Sequence, residues 1–60
     1  MNTDEVARKL DLARRSTRLN MSLHIQLDCW RNAQKQALEH NADEAFDEAT
    51  KVLEILERRV

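Results

Sequence analysis

The chain has 60 residues, no glycine, no proline, one cysteine and a net charge of −1. A chain of this length makes one small domain with a marginal core, so residues 1–60 are expected to gain burial by self-association. The lack of glycine and proline predicts helices and disfavours folds with several tight hairpins. The near-neutral total disfavours a dedicated nucleic-acid binder, because phosphate contacts need an excess of cations.

The cysteine count and the apolar runs bear on the compartment. A single cysteine cannot form an intramolecular disulfide, which predicts a reducing environment. The N-terminal residues include acids and lack the apolar segment of a signal peptide. No apolar run approaches the roughly 18 residues that a membrane span requires. We therefore expect a cytoplasmic protein without a membrane partner.

The charge is unevenly divided along the chain. Residues 1–38 carry seven basic and four acidic side chains, a net charge of +3, and residues 39–60 carry three basic and seven acidic ones, a net charge of −4. The two parts are expected to attract each other, either within one chain or between two antiparallel chains.

The first predicted element is a long helix over about 3–40. Val6, Leu10 and Ala13 mark the apolar side of its first part, and the apolar positions change phase further along. The change of phase predicts a bend near 16–22. Because no residue there is a strong helix breaker, we expect the helix to continue with at most a mild bend.

Residues 19–29 alternate between apolar and polar side chains, which fits either a half-buried strand or a helix with two apolar sides. On the helix, one stripe contains Leu19, Leu23, Leu27 and Trp30. The other stripe, roughly opposite, contains Met21, Ile25 and Cys29.

The second predicted helix covers about 43–59. Asn41 is suited to end the helix before it, because asparagine tolerates the left-handed conformation. Asn41 with Glu44, or alternatively Asp43, is also suited to cap the helix that follows. The short connection predicts an antiparallel helical hairpin. Its core is expected to consist of Leu23, Leu27, Trp30, Leu38, Phe46, Ala49, Leu53 and Leu56.

The second helix is too short to cover the whole of the first, so apolar side chains outside the hairpin core are expected to form an interface. The predicted interface residues are Val6, Leu10, Met21, Ile25 and Cys29, and Leu12 and Leu19 on the projecting part of the first helix are also expected to be uncovered. The prediction is an all-α fold, in which an antiparallel helical hairpin with a long first helix forms a homodimer that resembles a four-helix bundle.

In an alternative interpretation, the alternating residues form a strand instead of part of the first helix. A strand over 18–23, followed by helices over 25–40 and 43–59, resembles the ribbon-helix-helix repressors in element order and spacing. That resemblance implies a DNA-binding dimer with polar side chains in the major groove. Those side chains would be Arg18, Asn20, Ser22 and His24. The chain departs from the family in lacking proline or glycine before the first helix, in lacking glycine between the helices, and in its acidic last helix.

A dense basic cluster offers a second route to nucleic acid. Its members are Arg14, Arg15 and Arg18, and they are the candidate phosphate contacts on a helix. Leu38, Ala42, Asp43 and Glu44 resemble the turn of the ROP family of small RNA-binding hairpin dimers. The alternative is that the cluster is a solvated helix side that pairs with the acidic second helix of the other protomer in the dimer.

No set of residues predicts catalysis, a cofactor or a metal. His24 and Cys29 lie on different sides of the predicted helix, and a metal site needs at least three converging ligands. No nucleophile with a partnered base is evident. We therefore expect a non-enzymatic regulatory or adaptor protein that binds a protein partner as a homodimer. In general form it resembles phage and plasmid regulators, antitoxins and secretion co-chaperones. An alternative is that the chain is a co-chaperone or antitoxin subunit of a hetero-complex, in which another protein covers its apolar stripes.

Overall fold

The computed structural model describes the backbone of residues 2–60 and the side chains of residues 4–60. In that range the chain has no strand, and it forms three helices: α1 (Asn2–Arg18), α2 (Leu23–Glu39) and α3 (Asp43–Glu57). The prediction of an all-α fold is therefore confirmed. The alternative strand over 18–23 is wrong, because residues 19–22 form the turn between α1 and α2.

The predicted long first helix is wrong at its middle, where the chain reverses. Asn20 has a φ of 51°, in the left-handed region that asparagine tolerates better than most residues. Its N–H donates to the Thr17 carbonyl over 3.0 Å. The Met21 N–H donates to the Ser16 carbonyl, also over 3.0 Å. Together these bonds form a Schellman motif, which satisfies carbonyl groups at the end of α1.

Ser22 begins the next helix only two residues after Asn20. Its side-chain oxygen accepts a hydrogen bond from the Ile25 N–H over 3.3 Å. Serine is favoured at this position because it satisfies an N–H group that has no partner inside the helix. The reversal also explains the change of phase in the apolar pattern, since α1 and α2 are separate helices that bury different sides.

The second turn ends α2 by the same device. Asn41 has a φ of 56° and donates to the Leu38 carbonyl over 3.3 Å. The Ala42 N–H donates to the Ala37 carbonyl over 2.8 Å. The predicted capping of α3 by Asn41 or Asp43 is wrong, because Ala42 occupies the cap position and no side chain bonds there. Asn41 instead belongs to the end of α2.

α2 is the central helix and packs against both α1 and α3, whereas α1 and α3 make few contacts with each other. The connections of residues 19–22 and 40–42 are short, which makes each pair of consecutive helices antiparallel. α1 and α3 are therefore parallel. The chain is a three-helix arrangement and not a hairpin with one long helix.

The core lies where the three helices meet. Its buried apolar members are Ala13, Leu27, Trp30, Ala33, Ala49, Leu53 and Leu56. Small side chains form the contact between α1 and α2, where Ala13, Ser16, Ala33 and Ala37 are at most 1% exposed. Side chains of this size allow two helix axes to approach closely.

Five of the eight residues predicted for the hairpin core are buried: Leu27, Trp30, Ala49, Leu53 and Leu56. Leu23 and Phe46 are half-buried. Leu38 is 65% exposed, so its prediction is wrong. At about 100° per residue, Ala37 lies about 20° from Trp30 around α2, and Leu38 lies about 80° away. Ala37 therefore takes the buried position.

Candidate functional site

Of the seven large apolar side chains that are exposed in the described part of the chain, four belong to α1, α2 and the turn between them, on the side away from α3. Leu12 lies about 160° around α1 from Arg14, which contacts α3. Ile25 lies about 180° around α2 from Gln34, which also contacts α3. We call this surface the outer face, and its members are Leu12, Leu19, Met21, Ile25 and Cys29. Four of them are 40–62% exposed, and Cys29 is a half-buried free thiol.

A chain of hydrogen bonds joins α1 to α2 beside the outer face. The Trp30 Nε1–H donates to the Thr17 hydroxyl over 2.8 Å. That hydroxyl donates to Gln26 Oε1 over 3.1 Å, and Gln26 Nε2–H donates to the Met21 carbonyl over 2.6 Å. Gln26 and Trp30 are both buried. Because two of its three side chains are buried and their polar groups are hydrogen-bonded, this network holds the first turn in one conformation.

A second concave surface lies between α1 and the start of α3. It has a volume of about 430 Å³, and we call it the α1–α3 groove. Its apolar lining consists of Val6, Ala7, Leu10, Ala42 and Ala45. Asp43 and Glu44 also line it, and Arg14 and Glu48 lie at its end nearer to the middle of the two helices.

Arg14 and Glu48 form a direct link between α1 and α3. Arg14 Nη2 lies 2.6 Å from Glu48 Oε1, and Arg14 Nε lies 2.8 Å from Glu48 Oε2, which is a two-pronged pairing. The hydrogen bond from Arg14 lowers the pKa of Glu48 against the opposing effect of burial, and the positive charge of Arg14 adds to the lowering. The same hydrogen bond raises the pKa of Arg14. Both side chains are partly exposed, so solvent screening weakens the link.

The five predicted interface residues fall on different parts of the molecule. Met21 and Ile25 are exposed on the outer face, and Cys29 is half-buried beside them. Val6 is 5% exposed and Leu10 is half-buried, and both line the α1–α3 groove. The expectation that these two would be left uncovered is wrong, because the reversal at the first turn brings α1 back onto α2 and α3.

Leu12 and Leu19 are the other members of the outer face, and the expectation that both would be left uncovered is confirmed. Leu12 is 53% exposed and Leu19 is 62% exposed. Leu12 lies on α1, and Leu19 lies in the turn that follows it. The sequence placed both on the projecting part of a long first helix, whereas the reversal of the chain brings them to the side of the molecule where Ile25 lies.

The basic cluster is not a free cationic patch. Arg14 is paired with Glu48, as described above. Arg15 and Arg18 are exposed and make no ion pair with any side chain in residues 4–60. Two separate cations therefore remain of the predicted three.

Among the side chains of residues 4–60, no three of the histidine, cysteine, aspartate and glutamate residues form a group that could hold a metal. His24 Nε2 lies 3.9 Å from Asp28 Oδ2, and both side chains are exposed to solvent. Within residues 2–60, no helix has the length and apolar character needed to cross a membrane. The described part of the chain thus presents two candidate binding surfaces, the outer face and the α1–α3 groove.

The chain was compared with protein-family models, with curated proteins and with solved structures, and no match was found in any of the three.

Proposed function

We propose that the protein is a small non-enzymatic adaptor or regulatory protein that works by protein–protein interaction, and that it forms a homodimer through the outer face. The observation that carries the proposal is the set of exposed aliphatic side chains on that face. The free thiol of Cys29 agrees with action in a reducing compartment such as the cytoplasm.

The composition of the outer face supports self-association. Leu12, Leu19, Met21 and Ile25 expose large apolar surfaces in a chain of only 60 residues. Contiguous apolar patches on small soluble proteins mark interaction sites, and homodimer interfaces are more apolar than other interfaces. The hydrogen bonds of Gln26 fix the first turn, so little ordering is needed on association.

The geometry also suits a two-fold dimer. If the outer face of one protomer packs on the same face of its partner, the α1 and α2 helices of both protomers form a four-helix layer. α3 then lies on the outside of each protomer. It carries six acidic side chains and one basic side chain, and this charge stays available to a further protein partner.

The test measures mass in solution for the wild type, Ile25→Asp and Ile55→Asp. Ile25 is 41% exposed on the outer face, and Ile55 is 51% exposed on α3, so the two changes are matched in chemistry and exposure. We expect the wild type and Ile55→Asp to sediment as dimers and Ile25→Asp to sediment as a folded monomer, because the change buries an unpaired charge only in the dimer. A dimeric Ile25→Asp, or a monomeric wild type at millimolar concentration, would contradict the proposal.

No observation favours the nucleic-acid alternative in its place. The turn at residues 19–22 replaces the strand that a ribbon-helix-helix protein requires, and Arg14 is occupied by Glu48. That role remains a prediction from the sequence. A nucleic-acid probe that bound with steep salt dependence, and that lost binding with Arg15→Ala and Arg18→Ala, would revive it.

A further inference from the structure

The α1–α3 groove is a second surface with its own chemistry, distinct from the outer face. We propose that it receives a cationic amphipathic helix of a partner protein. The proposal goes beyond the dimer, because it concerns a different side of the molecule and a different occupant.

The lining of the groove fits aliphatic side chains. Ala7, Ala42 and Ala45 are small, and they leave the space that larger residues would fill, while Val6 and Leu10 supply apolar contact at the base. The volume of about 430 Å³ lies within the range of about 300–1,000 Å³ that is usual for ligand sites. An amphipathic helix inserts aliphatic side chains, spaced three and four residues apart, into grooves of this kind.

The acidic residues around the groove favour an occupant with a positive charge. Asp43 and Glu44 line it and make no ion pair with any side chain in residues 4–60. The helix that carries them has six acidic side chains and only Lys51 as a basic one, for a net charge of −5. Lys51 is itself paired with Asp47. Lysine or arginine residues on the incoming helix would therefore meet unpaired carboxylates.

The arrangement of the helices suits a fourth helix in this position. α1 and α3 are parallel and make few contacts with each other, so a helix between them can lie antiparallel to both. In that orientation its C-terminal end, which carries the negative end of the helix dipole, lies near the N-terminal ends of α1 and α3. The occupant would thus complete a four-helix bundle within one protomer.

The first experiment titrates the full chain with a synthetic helix of about 14 residues made of leucine and lysine, with its leucines on one side. Two control peptides are used: one of the same composition with the leucines dispersed around the helix, and one with glutamate in place of lysine. We expect the first peptide alone to bind, and to shift the backbone amide signals of Ala7, Leu10 and Ala45. No binding, equal binding of the dispersed peptide, or shifts confined to the outer face would overturn the proposal.

Two charge reversals on α3 then locate the contact. Glu44→Lys changes the groove, and the matched change Glu54→Lys alters an exposed carboxylate of the same helix outside the groove lining. We expect Glu44→Lys to weaken peptide binding about tenfold and Glu54→Lys to weaken it less than about twofold. Equal weakening by the two variants would mean general attraction to an acidic helix and would overturn the proposal. Thermal unfolding of both variants checks that they are folded.

The two proposals fail separately. Ile25→Asp is expected to abolish the dimer and to leave peptide binding within about twofold of the wild type, because Ile25 is not part of the groove. Loss of peptide binding in that variant would place the peptide on the outer face and would contradict the groove assignment.

Discussion

The two turns of the molecule end their helices identically and begin the next helices differently. Asn20 and Asn41 both take a left-handed conformation and both belong to Schellman motifs. Ser22 then caps α2 with its side chain, whereas Ala42 leaves the start of α3 without a side-chain cap. The first turn is further held by Gln26, which donates to the Met21 carbonyl. In both turns asparagine supplies the left-handed residue at the end of the helix, and the added bonds of Ser22 and Gln26 hold the first turn more firmly than the second.

The largest expected effect comes from removing the side chain that holds the first turn. Gln26→Ala leaves the Met21 carbonyl and the Thr17 hydroxyl without a partner that they have in the native chain. Because Gln26 is buried, we expect a loss of about 1–3 kcal/mol in the free energy of unfolding, measured by urea denaturation. Gln34→Ala, which removes a bond to Thr50 on α3, is the matched control and should cost less. If Gln34→Ala lowered the free energy of unfolding as much as Gln26→Ala, the hydrogen bonds of Gln26 would not stabilise the first turn more than an ordinary contact between helices.

Substitutions at the two helix caps have the next largest effect, and they should change the free energy of unfolding in opposite directions at the two turns. Ser22→Ala should lower the free energy of unfolding by about 1 kcal/mol, because it removes the acceptor for the Ile25 N–H. Ala42→Ser should raise the free energy of unfolding, because serine can cap α3 where alanine cannot. The increase should be less than about 1 kcal/mol, since the ψ of 84° at Ala42 departs from the extended geometry of a good cap. Changes of the same sign in the two variants would contradict the assigned difference between the turns.

The sequence predicted the second turn and missed the first for a local reason. Asn41 lies between two segments with clear helical periods, so its role as a helix end was evident. Asn20 lies inside an apolar alternation that also fits a continuous helix or a strand. That alternation favoured an uninterrupted element, so Asn20 was not predicted to end a helix. The pairing of a stop signal at Asn20 with a start signal at Ser22 was available from residue types alone.

The consequences of the missed turn explain the remaining differences. With α1 placed back on α2, Val6 becomes buried and Leu10 becomes part of a groove. The same reversal brings Leu12 and Leu19 to the surface where Ile25 lies. The central part of the predicted core needed only the periodicity of α2 and α3, which is why most of its residues are buried. The groove depends on the position of α1 and could not be predicted without the turn.

The smallest expected effect on stability comes from removing the ion pair that links α1 to α3, a change that leaves both turns intact. Glu48→Gln removes the charge that pairs with Arg14. Because the pKa of Glu48 is lowered in the folded chain, the pair stabilises the protein above the pKa of an unfolded glutamate, about 4.3, and this stabilisation is lost as pH falls through the lowered value. We expect the variant to be less stable than the wild type at pH 7 by under about 1 kcal/mol, after allowance for solvent screening.

The difference between the two proteins should shrink as the pH falls below the ordinary pKa of glutamate, and it should vanish below the lowered pKa of Glu48, where the wild-type carboxylate is protonated as well. Urea denaturation at several pH values measures it. Glu54→Gln, at an exposed carboxylate of the same helix, is the control and should show little change at any pH. A difference that persisted in acid would mean that Glu48 acts through packing and not through its charge.

The central claim is that α1 folds back on α2, and a distance between two spin labels tests it most directly. The labels are placed on Arg8→Cys and Lys35→Cys in a Cys29→Ser background, and labelled chains are diluted with unlabelled protein so that only distances within one chain are seen. In the three-helix arrangement these positions lie on adjacent helices whose axes are about 10 Å apart, so we expect a label distance of about 15–25 Å. In one continuous helix the 27 intervening steps would separate them by about 40 Å, and that result would contradict the account.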